Sequence, residues 1–268
     1  MNILLPTDFS ENSKNAAIYA LKFFEKVPCT FHLLHALSFS SEDSNMKEMN
    51  LPPEFYANFE QFLSLLNEEK VNPQHEFKFM FKTKYLIDAV REQVLEKKID
   101  LIIMGTKGIS NDEGSVIGKN TSDIMMKVKC PVLAISETAE FKEYREILFP
   151  TDYKIQYSGE MLDILLNMAS MSNASVKIME LFESNATPSF EQRENKSSLQ
   201  NYLAARTPVL PYNQEGKEEK NSFYTSKNFS ADMIALAAKN LNICQKLLLP
   251  GQNHQIPFIE KIPLLMLH

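Results

Sequence analysis

Glycine is scarce in this chain, since 268 residues contain only seven. Four of the seven, Gly105, Gly108, Gly114 and Gly118, fall within one short segment. Glycine concentrates where the backbone takes a positive φ or passes close to a ligand. The clustering therefore indicates that the segment from Gly105 to Gly118 has a special backbone or a ligand beside it.

The chain also lacks a long apolar segment and a cluster of basic residues. No apolar run approaches the roughly 20 residues that cross a bilayer, and Pro6 and Asp8 interrupt the N-terminal run before it could act as a signal sequence. The net charge of −6 argues against nucleic acid and against an anionic membrane surface, because both attract clustered cations. We expect a cytoplasmic protein with neither partner.

Metal-ligand and disulfide patterns are missing as well. The three cysteines, Cys29, Cys130 and Cys244, are far apart, and the five histidines form no H-x-x-x-H pair. Neither set has the spacing of a metal site, and an odd, scattered set of cysteines does not suit a disulfide framework. We expect no metal site and three buried thiols.

Apolar runs and helical periodicities alternate along the first half of the chain. Ser10 has the position of a helix N-cap, since its hydroxyl can accept an early helical amide. Helical spacing of apolar residues predicts helices over 16–24, 53–70, 86–95 and 121–128. The predicted strands are Asn2–Pro6, Thr30–Ala36, His75–Phe81, Asp100–Met104 and Cys130–Ile135. This alternation predicts an α/β fold with a doubly wound, five-stranded parallel sheet.

The chain then begins again. Ile147–Asp152 repeats Ile3–Asp8 with five of six residues identical, at a constant offset in numbering of 144 (147 − 3). A tandem repeat of a whole domain explains this. We predict two such domains, 1–138 and 144–268, joined by an exposed, charged linker from Glu137 to Arg145.

The second copy is predicted to differ from the first after its third strand. Ser230 is interpreted as the cap of a helix that carries the apolar residues 233–241. Only 12 positions separate Gly251 from Pro263 (263 − 251), against 26 from Gly105 to Pro131 (131 − 105), which predicts a much shorter loop without the glycines. The predicted strands of this copy are Ile147–Asp152, Val176–Leu181, Ser222–Thr225, Lys246–Pro250 and Ile262–Leu267.

The glycine segment of the first copy lies between a strand and a helix. A strand, a glycine-rich loop and a helix N-terminus form an anion site, because free amides and the helix dipole converge there. A phosphate is the natural occupant, and a mobile connection is the alternative interpretation. The loop is not a Walker A motif, since Gly114–Asn120 is one residue short and Asn120 replaces a hydroxyl residue. Its pattern is G-x-x-G, nine residues, then G.

Taken together, these motifs resemble the universal stress protein family in its tandem form. The resemblance rests on Pro6–Ser10, Met104–Gly108, the nine residues before Gly118, and Cys130–Ile135. It implies the adenine nucleotide alpha hydrolase-like fold, and it implies ATP or AMP binding in some members and no nucleotide in others. It also implies that strands one and four are neighbours, so that Asp8 and Gly105 face one crevice.

The resemblance implies a role for each residue of that crevice. Asp8 would accept hydrogen bonds from ribose or adenine, and Ala36 would be an apolar wall. The glycines would let the backbone approach phosphates, which the first turn of the following helix would hold. From its local sequence alone, Asp8 is equally interpreted as a turn residue. The implied nucleotide-binding residues are Pro6, Thr7, Asp8, Ala36, Met104, Gly105, Gly108, Gly118, Lys119, Asn120 and Thr121.

Two features depart from the family pattern. Lys119 stands where the family has Ser or Thr, which replaces a hydroxyl by an ammonium that can contact phosphate or extend into solvent. The negative charges of Asp112 and Glu113 would repel a triphosphate unless a cation such as Mg²⁺ lies between the carboxylates and the phosphates. ATP and AMP therefore both remain open. The second copy is expected to bind no nucleotide.

Three functions are compatible with these residues. The first is a stress-response regulator whose loop, ordered by an adenine nucleotide, alters the surface for a protein partner. The second is slow ATP hydrolysis, although no base is identifiable. The third is an interaction protein without a ligand. The resemblance also implies pairing through the last strand, so Val132–Ile135 is expected to pair with Leu264–Leu267 in an intramolecular pseudo-dimer that hides two sheet edges. A homodimer is a further prediction.

Overall fold

A computed structural model describes residues 1–37, 53–107, 117–181, 187–206, 209–211, 231–248 and 262–268. The chain divides into two compact units, Met1–Phe141 and Lys142–His268.

The first unit alternates strands and helices. Its strands are all parallel and lie in the order β3–β2–β1–β4–β5. The order reverses at β1, because the chain adds β2 and β3 on one side and then returns to add β4 and β5 on the other. The elements are β1 (Asn2–Pro6), α1 (Glu11–Phe23), β2 (Thr30–Ala36), α2 (Pro53–Glu69), β3 (Glu76–Lys82), α3 (Leu86–Glu96), β4 (Leu101–Gly105), α4 (Lys119–Lys127) and β5 (Val132–Ile135).

The core of this unit lies between the sheet and two pairs of helices. α1 contacts α2, and α3 contacts α4. Leu4 in β1, Ile102 in β4 and Val132 in β5 are completely buried. This explains the uninterrupted apolar sequence of these strands, since a strand covered on both faces needs no polar alternation. Ser10 caps α1 by accepting a hydrogen bond from the Ser13 amide. The predicted doubly wound α/β fold is confirmed.

The second unit has the same strand order, β8–β7–β6–β9–β10, and its strands are also parallel. Ile147 in β6 lies opposite Met233 in β9, as Ile3 in β1 lies opposite Leu101 in β4. The elements are β6 (Glu146–Thr151), α5 (Gly159–Met171), β7 (Ser175–Glu180), α6 (Phe190–Ala204), β8 (Val209–Pro211), β9 (Met233–Ala237), α7 (Leu241–Leu248) and β10 (Leu264–Leu267).

Two predicted elements of the second unit are wrong. Residues 233–237, expected in a helix, form β9, and the predicted strand Lys246–Pro250 begins inside α7. The predicted third strand, Ser222–Thr225, lies outside the described residues, and the structure has its third strand at β8. A short buried apolar run has no periodicity that distinguishes a strand from a helix. For this reason β9 was predicted as a helix and part of α7 as a strand.

The corrected strand changes the comparison of the two copies. From Ala237, the last residue of β9, to Pro263 there are 26 positions (263 − 237), as many as from Gly105 to Pro131. The prediction of a much shorter connection, which counted from Gly251, is therefore wrong. When the ends of β4 and β9 are aligned, Ala237 and Asn240 stand where the first unit has Gly105 and Gly108.

Six of the nine residues of the linker, 137–145, are exposed, and three apolar ones are not. Ala139 is 3% exposed and Tyr144 is 1% exposed, and Phe141 packs edge-to-face on Tyr19 at 5.4 Å between ring centroids. The Asn15 amide donates to the carbonyl oxygens of residues 136 and 139 at 2.9 and 3.0 Å. Apolar side chains spaced among the charged ones thus anchor the segment, while its charged side chains are exposed as expected.

Candidate functional site

The candidate residues of the first unit lie at the carboxyl edge of its sheet, where the strand order reverses. β1 pairs with β2 through Pro6 and Leu34, and with β4 through Ile3 and Leu101. Parallel strands end at the same edge, so the segments that follow β1 and β4 meet there. In doubly wound sheets, ligands bind at this switch point.

The turn after β1 holds the carboxylate of Asp8. Phe9 has a φ of 63°, a left-handed conformation that is uncommon outside glycine. The turn is supported by the Phe9 amide, which donates to Thr7 Oγ1 at 3.0 Å. The amide and hydroxyl of Ser10 both donate to Asp8 Oδ1, at 3.1 and 2.5 Å. Asp8 is therefore a turn residue, and its carboxylate has a defined position beside the crevice.

The ends of the glycine segment are tied together at β4. The Gly118 amide donates to the Thr106 carbonyl at 2.7 Å, and the Thr121 hydroxyl donates to the Gly105 carbonyl at 2.8 Å. Gly118 is the N-cap of α4 and has no side chain to cap it. The first-turn amides of residues 119–121 consequently have no intrahelical acceptor, which is the arrangement that suits an anion.

Asn12 was not predicted to belong to the site. Its Nδ2 donates to the Lys107 carbonyl at 2.5 Å, which ties α1 to the start of the glycine segment. The side chain is 5% exposed, and Oδ1 is buried without a hydrogen-bond partner among the described residues. The contact joins residues 95 positions apart, so no local pattern could have indicated it.

His35 also lies at the site without having been predicted. Its Nδ1 lies 2.8 Å from the Thr7 carbonyl oxygen, and its ring stacks on Phe9 at 4.8 Å between centroids. Burial lowers the pKa of His35, while the hydrogen bond to Thr7 and the charge of Asp8 oppose that shift. The one available signal was its position, one residue before Ala36 at the end of a predicted strand.

The structure brings most of the predicted residues to one edge. Pro6 and Thr7 are buried at the end of β1, and Ala36 is the last residue of β2, half-buried. Met104 and Gly105 end β4, while Lys119 and Asn120 are exposed at the start of α4. Gly108 lies outside the described residues, as do Asp112 and Glu113.

The side chain of Thr121 is buried and bonded to the end of β4. The residue is 3% exposed, and the single hydroxyl hydrogen is used in the bond to Gly105. In this conformation the hydroxyl can only accept, whereas a phosphate oxygen needs a donor. The group that Thr121 presents to an anion is therefore its main-chain amide.

At the same edge of the second unit, the described polar side chains bond to one another. Asp152, the counterpart of Asp8, accepts from the Lys154 amide at 3.1 Å and from Asn240 Nδ2 at 2.8 Å. The Tyr157 hydroxyl contacts Thr151 Oγ1, and burial raises the Tyr157 pKa to about 12. These polar groups satisfy one another without a ligand.

Comparison with known proteins now assigns the family. A model of the universal stress protein family matches residues 1–136, just over half of the 268 residues. The chain belongs to the universal stress protein family. Universal stress protein MJ0531 of Methanocaldococcus jannaschii is 26% identical over 146 residues, which cover 50% of this chain and 81% of the relative. The family predicted from the sequence motifs is thus confirmed.

Solved structures extend the likeness to the second unit of this universal stress protein. A universal stress protein from Archaeoglobus fulgidus DSM 4304 matches 99% of this chain and 97% of its own, with a TM-score of 0.67 and 15% identity. A functionally unknown protein from Pseudomonas aeruginosa PAO1 matches 99% and 92%, with a TM-score of 0.57 and 14% identity. At such identities the likeness concerns the fold alone.

Two further properties concern the described part of this universal stress protein. None of the helices described there is long and apolar enough to cross a membrane. Within the same residues, no group of three or more histidine, cysteine, aspartate or glutamate side chains is placed to hold a metal ion.

Proposed function

We propose that this protein is a stress-response regulator whose first unit binds an adenine nucleotide, ATP or AMP, at the carboxyl ends of β1, β2 and β4. The observation that carries the proposal is the uncapped N-terminus of α4, which lies at the switch point of the sheet together with the Asp8 turn. The first-turn amides suit phosphate, and the carboxylate suits a ribose hydroxyl or an adenine amine.

The second unit supports the assignment of a single site. Asn240 stands at the position of Gly108 and donates to Asp152, so the carboxylate there already has a side-chain donor in place of a ligand. We infer a stoichiometry of one nucleotide per chain. Regulation then requires a protein partner that distinguishes the occupied first unit from the empty one. A divalent cation such as Mg²⁺ would accompany a triphosphate.

The experiment begins with denaturation of the purified protein and identification of any released small molecule by chromatography and mass spectrometry. Ligand-free protein is then titrated calorimetrically with ATP and with AMP, each with and without Mg²⁺. Failure of both nucleotides to bind at millimolar concentration would overturn the proposal and leave the ligand-free interaction protein as the function. Phosphate release from bound ATP distinguishes hydrolysis from simple binding.

The repeated turn supplies a matched pair of variants. Asp8→Asn is expected to weaken binding about tenfold, since one charge-assisted hydrogen bond becomes a neutral one. Asp152→Asn changes the same turn in the second unit and is expected to leave the affinity within about twofold. Equal losses in both variants would contradict a site confined to the first unit.

A further inference from the structure

His35 contacts the chain on both sides of Asp8. Its Nδ1 is 2.8 Å from the carbonyl oxygen of Thr7, the residue before Asp8. Its ring lies parallel to that of Phe9, the residue after Asp8, with 4.8 Å between centroids and 11° between planes. The ring of Phe81 is also nearly parallel to that of His35, with 5.9 Å between centroids and 13° between planes. A single imidazole thus holds the two neighbours of the candidate ligand residue.

The second unit shows how the same turn is held without a histidine. The registers Pro6–Leu34 and Pro150–Met179 align His35 with Glu180, and the offset of 144 aligns Phe9 with Tyr153. There the carbonyl of Thr151, the counterpart of Thr7, accepts a main-chain hydrogen bond from Leu181 at 2.8 Å.

In the first unit the imidazole supplies a bond to that carbonyl. The left-handed turn is retained in both units, with a φ of 63° at Phe9 and 57° at Tyr153. The aromatic contact is not retained, since Tyr153 donates its hydroxyl to Glu180 at 3.0 Å. The backbone conformation of the turn is therefore common to both units, whereas the side-chain and main-chain contacts that hold it differ.

We propose that His35 is a positioning residue of the nucleotide crevice, which fixes Asp8 for the ligand by holding the Thr7 carbonyl and the Phe9 ring together. The inference deepens the proposed function and rests on it. A carbonyl oxygen only accepts, so Nδ1 carries the hydrogen, and the neutral tautomer with hydrogen on Nδ1 is sufficient. Variants that remove only the hydrogen bond to Thr7, or only the stacking on Phe9, separate the two contributions of His35.

Two variants divide the imidazole into its parts. In His35→Asn the amide nitrogen is as many bonds from Cα as Nδ1 is, so the donor to Thr7 is kept while the ring is removed. In His35→Phe the ring is kept and the donor is removed. Both are studied in the full chain, with ATP and AMP as ligands in calorimetric titrations. Thermal unfolding reports the stability of each variant separately.

The positioning role predicts that affinity depends on the hydrogen-bond donor and does not simply follow stability. His35→Phe is expected to unfold at a lower temperature, because the buried Thr7 carbonyl is left without its donor, and to bind nucleotide about tenfold more weakly. His35→Asn is expected to unfold at a lower temperature, yet to bind within about threefold of the wild type once folded. Unchanged affinity in His35→Phe, or a loss in both variants that follows their stability, would overturn the proposal.

A measurement without ligand separates this inference from the proposed function. The amides of Phe9 and Ser10 are held within the turn by Thr7 Oγ1 and Asp8 Oδ1. In ligand-free His35→Phe their hydrogen exchange is expected to be about tenfold faster than in the wild type. Unchanged exchange contradicts the positioning role whatever binds. Faster exchange in a protein that binds no nucleotide upholds the role of His35 in the turn and refutes the proposed function.

Discussion

The carboxamide of Asn12 occupies the space that a side chain on Gly105 would need. A Cβ at position 105 would lie 2.7 Å from Cγ and 2.8 Å from Oδ1 of Asn12, closer than side-chain carbons approach in folded proteins. The carboxamide has little freedom to withdraw, because its Nδ2 donates to the Lys107 carbonyl. The packing of α1 against the end of β4 therefore favours glycine at position 105, whether or not a ligand binds.

The first prediction tests this contact. Gly105→Ala is expected to lower the free energy of unfolding by about 1–3 kcal/mol, because the added methyl group must displace the carboxamide. In Asn12→Ala/Gly105→Ala the methyl group meets no carboxamide, so the double variant is expected to lose less than the sum of the single losses. Urea unfolding of the four proteins measures the coupling. Additive losses would show that position 105 requires glycine for another reason.

A second prediction concerns the hydroxyl of Thr121. Thr121→Val keeps the shape of the side chain and removes its bond to the Gly105 carbonyl, which is expected to lower the free energy of unfolding by about 1–3 kcal/mol, because the carbonyl is left unsatisfied. Thr121→Ser keeps the hydroxyl and is the control. If the amide of residue 121 is what holds phosphate, both variants bind nucleotide alike once folded. A selective loss of binding in Thr121→Val would assign the hydroxyl a direct contact.

The third prediction addresses the second unit. Asn240 donates to Asp152 Oδ1, and its Oδ1 accepts from the Ile243 amide at the start of α7. Asn240→Ala is expected to lower the free energy of unfolding by about 1–3 kcal/mol, because it leaves a buried carboxylate short of a donor. The exposed Asn242→Ala on the same helix is the control, with an effect within about 0.5 kcal/mol. Equal effects of the two variants would show that the hydrogen bonds of Asn240 do not stabilise the second unit.

A fourth prediction follows from the buried histidines. Burial lowers the pKa of both His32 and His35, so the unfolded chain takes up protons that the folded chain does not. Their contribution to stability is therefore complete above the unfolded value of about 6.5 and is lost as the pH falls below it. Glu92, whose pKa is lowered to about 2, does not titrate in that window.

Urea midpoints between pH 7.5 and pH 5.5 measure this effect. The wild-type midpoint is expected to fall across the range, and the fall is expected to be smaller in His35→Asn, which lacks one of the two groups. A wild-type midpoint that stays level would contradict the lowered values.

The first unit was predictable from sequence to within a few residues in most elements. β1 and β2 have the predicted bounds, and α1 begins after the predicted cap, Ser10. The signals were strong because apolar runs, polar turns and helical periodicities alternated without ambiguity. β5 is shorter than predicted because it begins at Val132, after Pro131.

In the second unit β6, β7 and β10 lie close to their predicted positions, whereas β9 was predicted as a helix. Residues 233–237 are all buried in β9, so the run carries no alternation, and its alanines and leucine suit a helix equally well. Tertiary pairing with β6 decided the outcome. The separation of Ala237 from Pro263, which equals that of Gly105 from Pro131, was the signal that would have placed β9 correctly.

The candidate site was predictable in position but not in its supports. Sequence motifs indicated Asp8 and Gly105 at one edge, and the pairing of β1 with β4 joins them. Asn12 and His35 act through contacts to residues 95 and 28 positions away. Such contacts leave no local pattern, because they depend on how helices and strands meet after folding.

Because different interactions hold the two turns, the two units are expected to respond differently to ionic strength. In the second unit, Glu180 accepts from Tyr153 and pairs with Lys196 at 2.5 Å between Nζ and Oε1, with both side chains 37% exposed. Rising ionic strength weakens an exposed ion pair of this kind. In the first unit, His35 stacks on Phe9 and on Phe81, and these rings carry no formal charge while the imidazole is neutral. Added salt is therefore expected to weaken the contacts of the turn in the second unit more than those in the first, so ionic strength is expected to distinguish two copies of one fold.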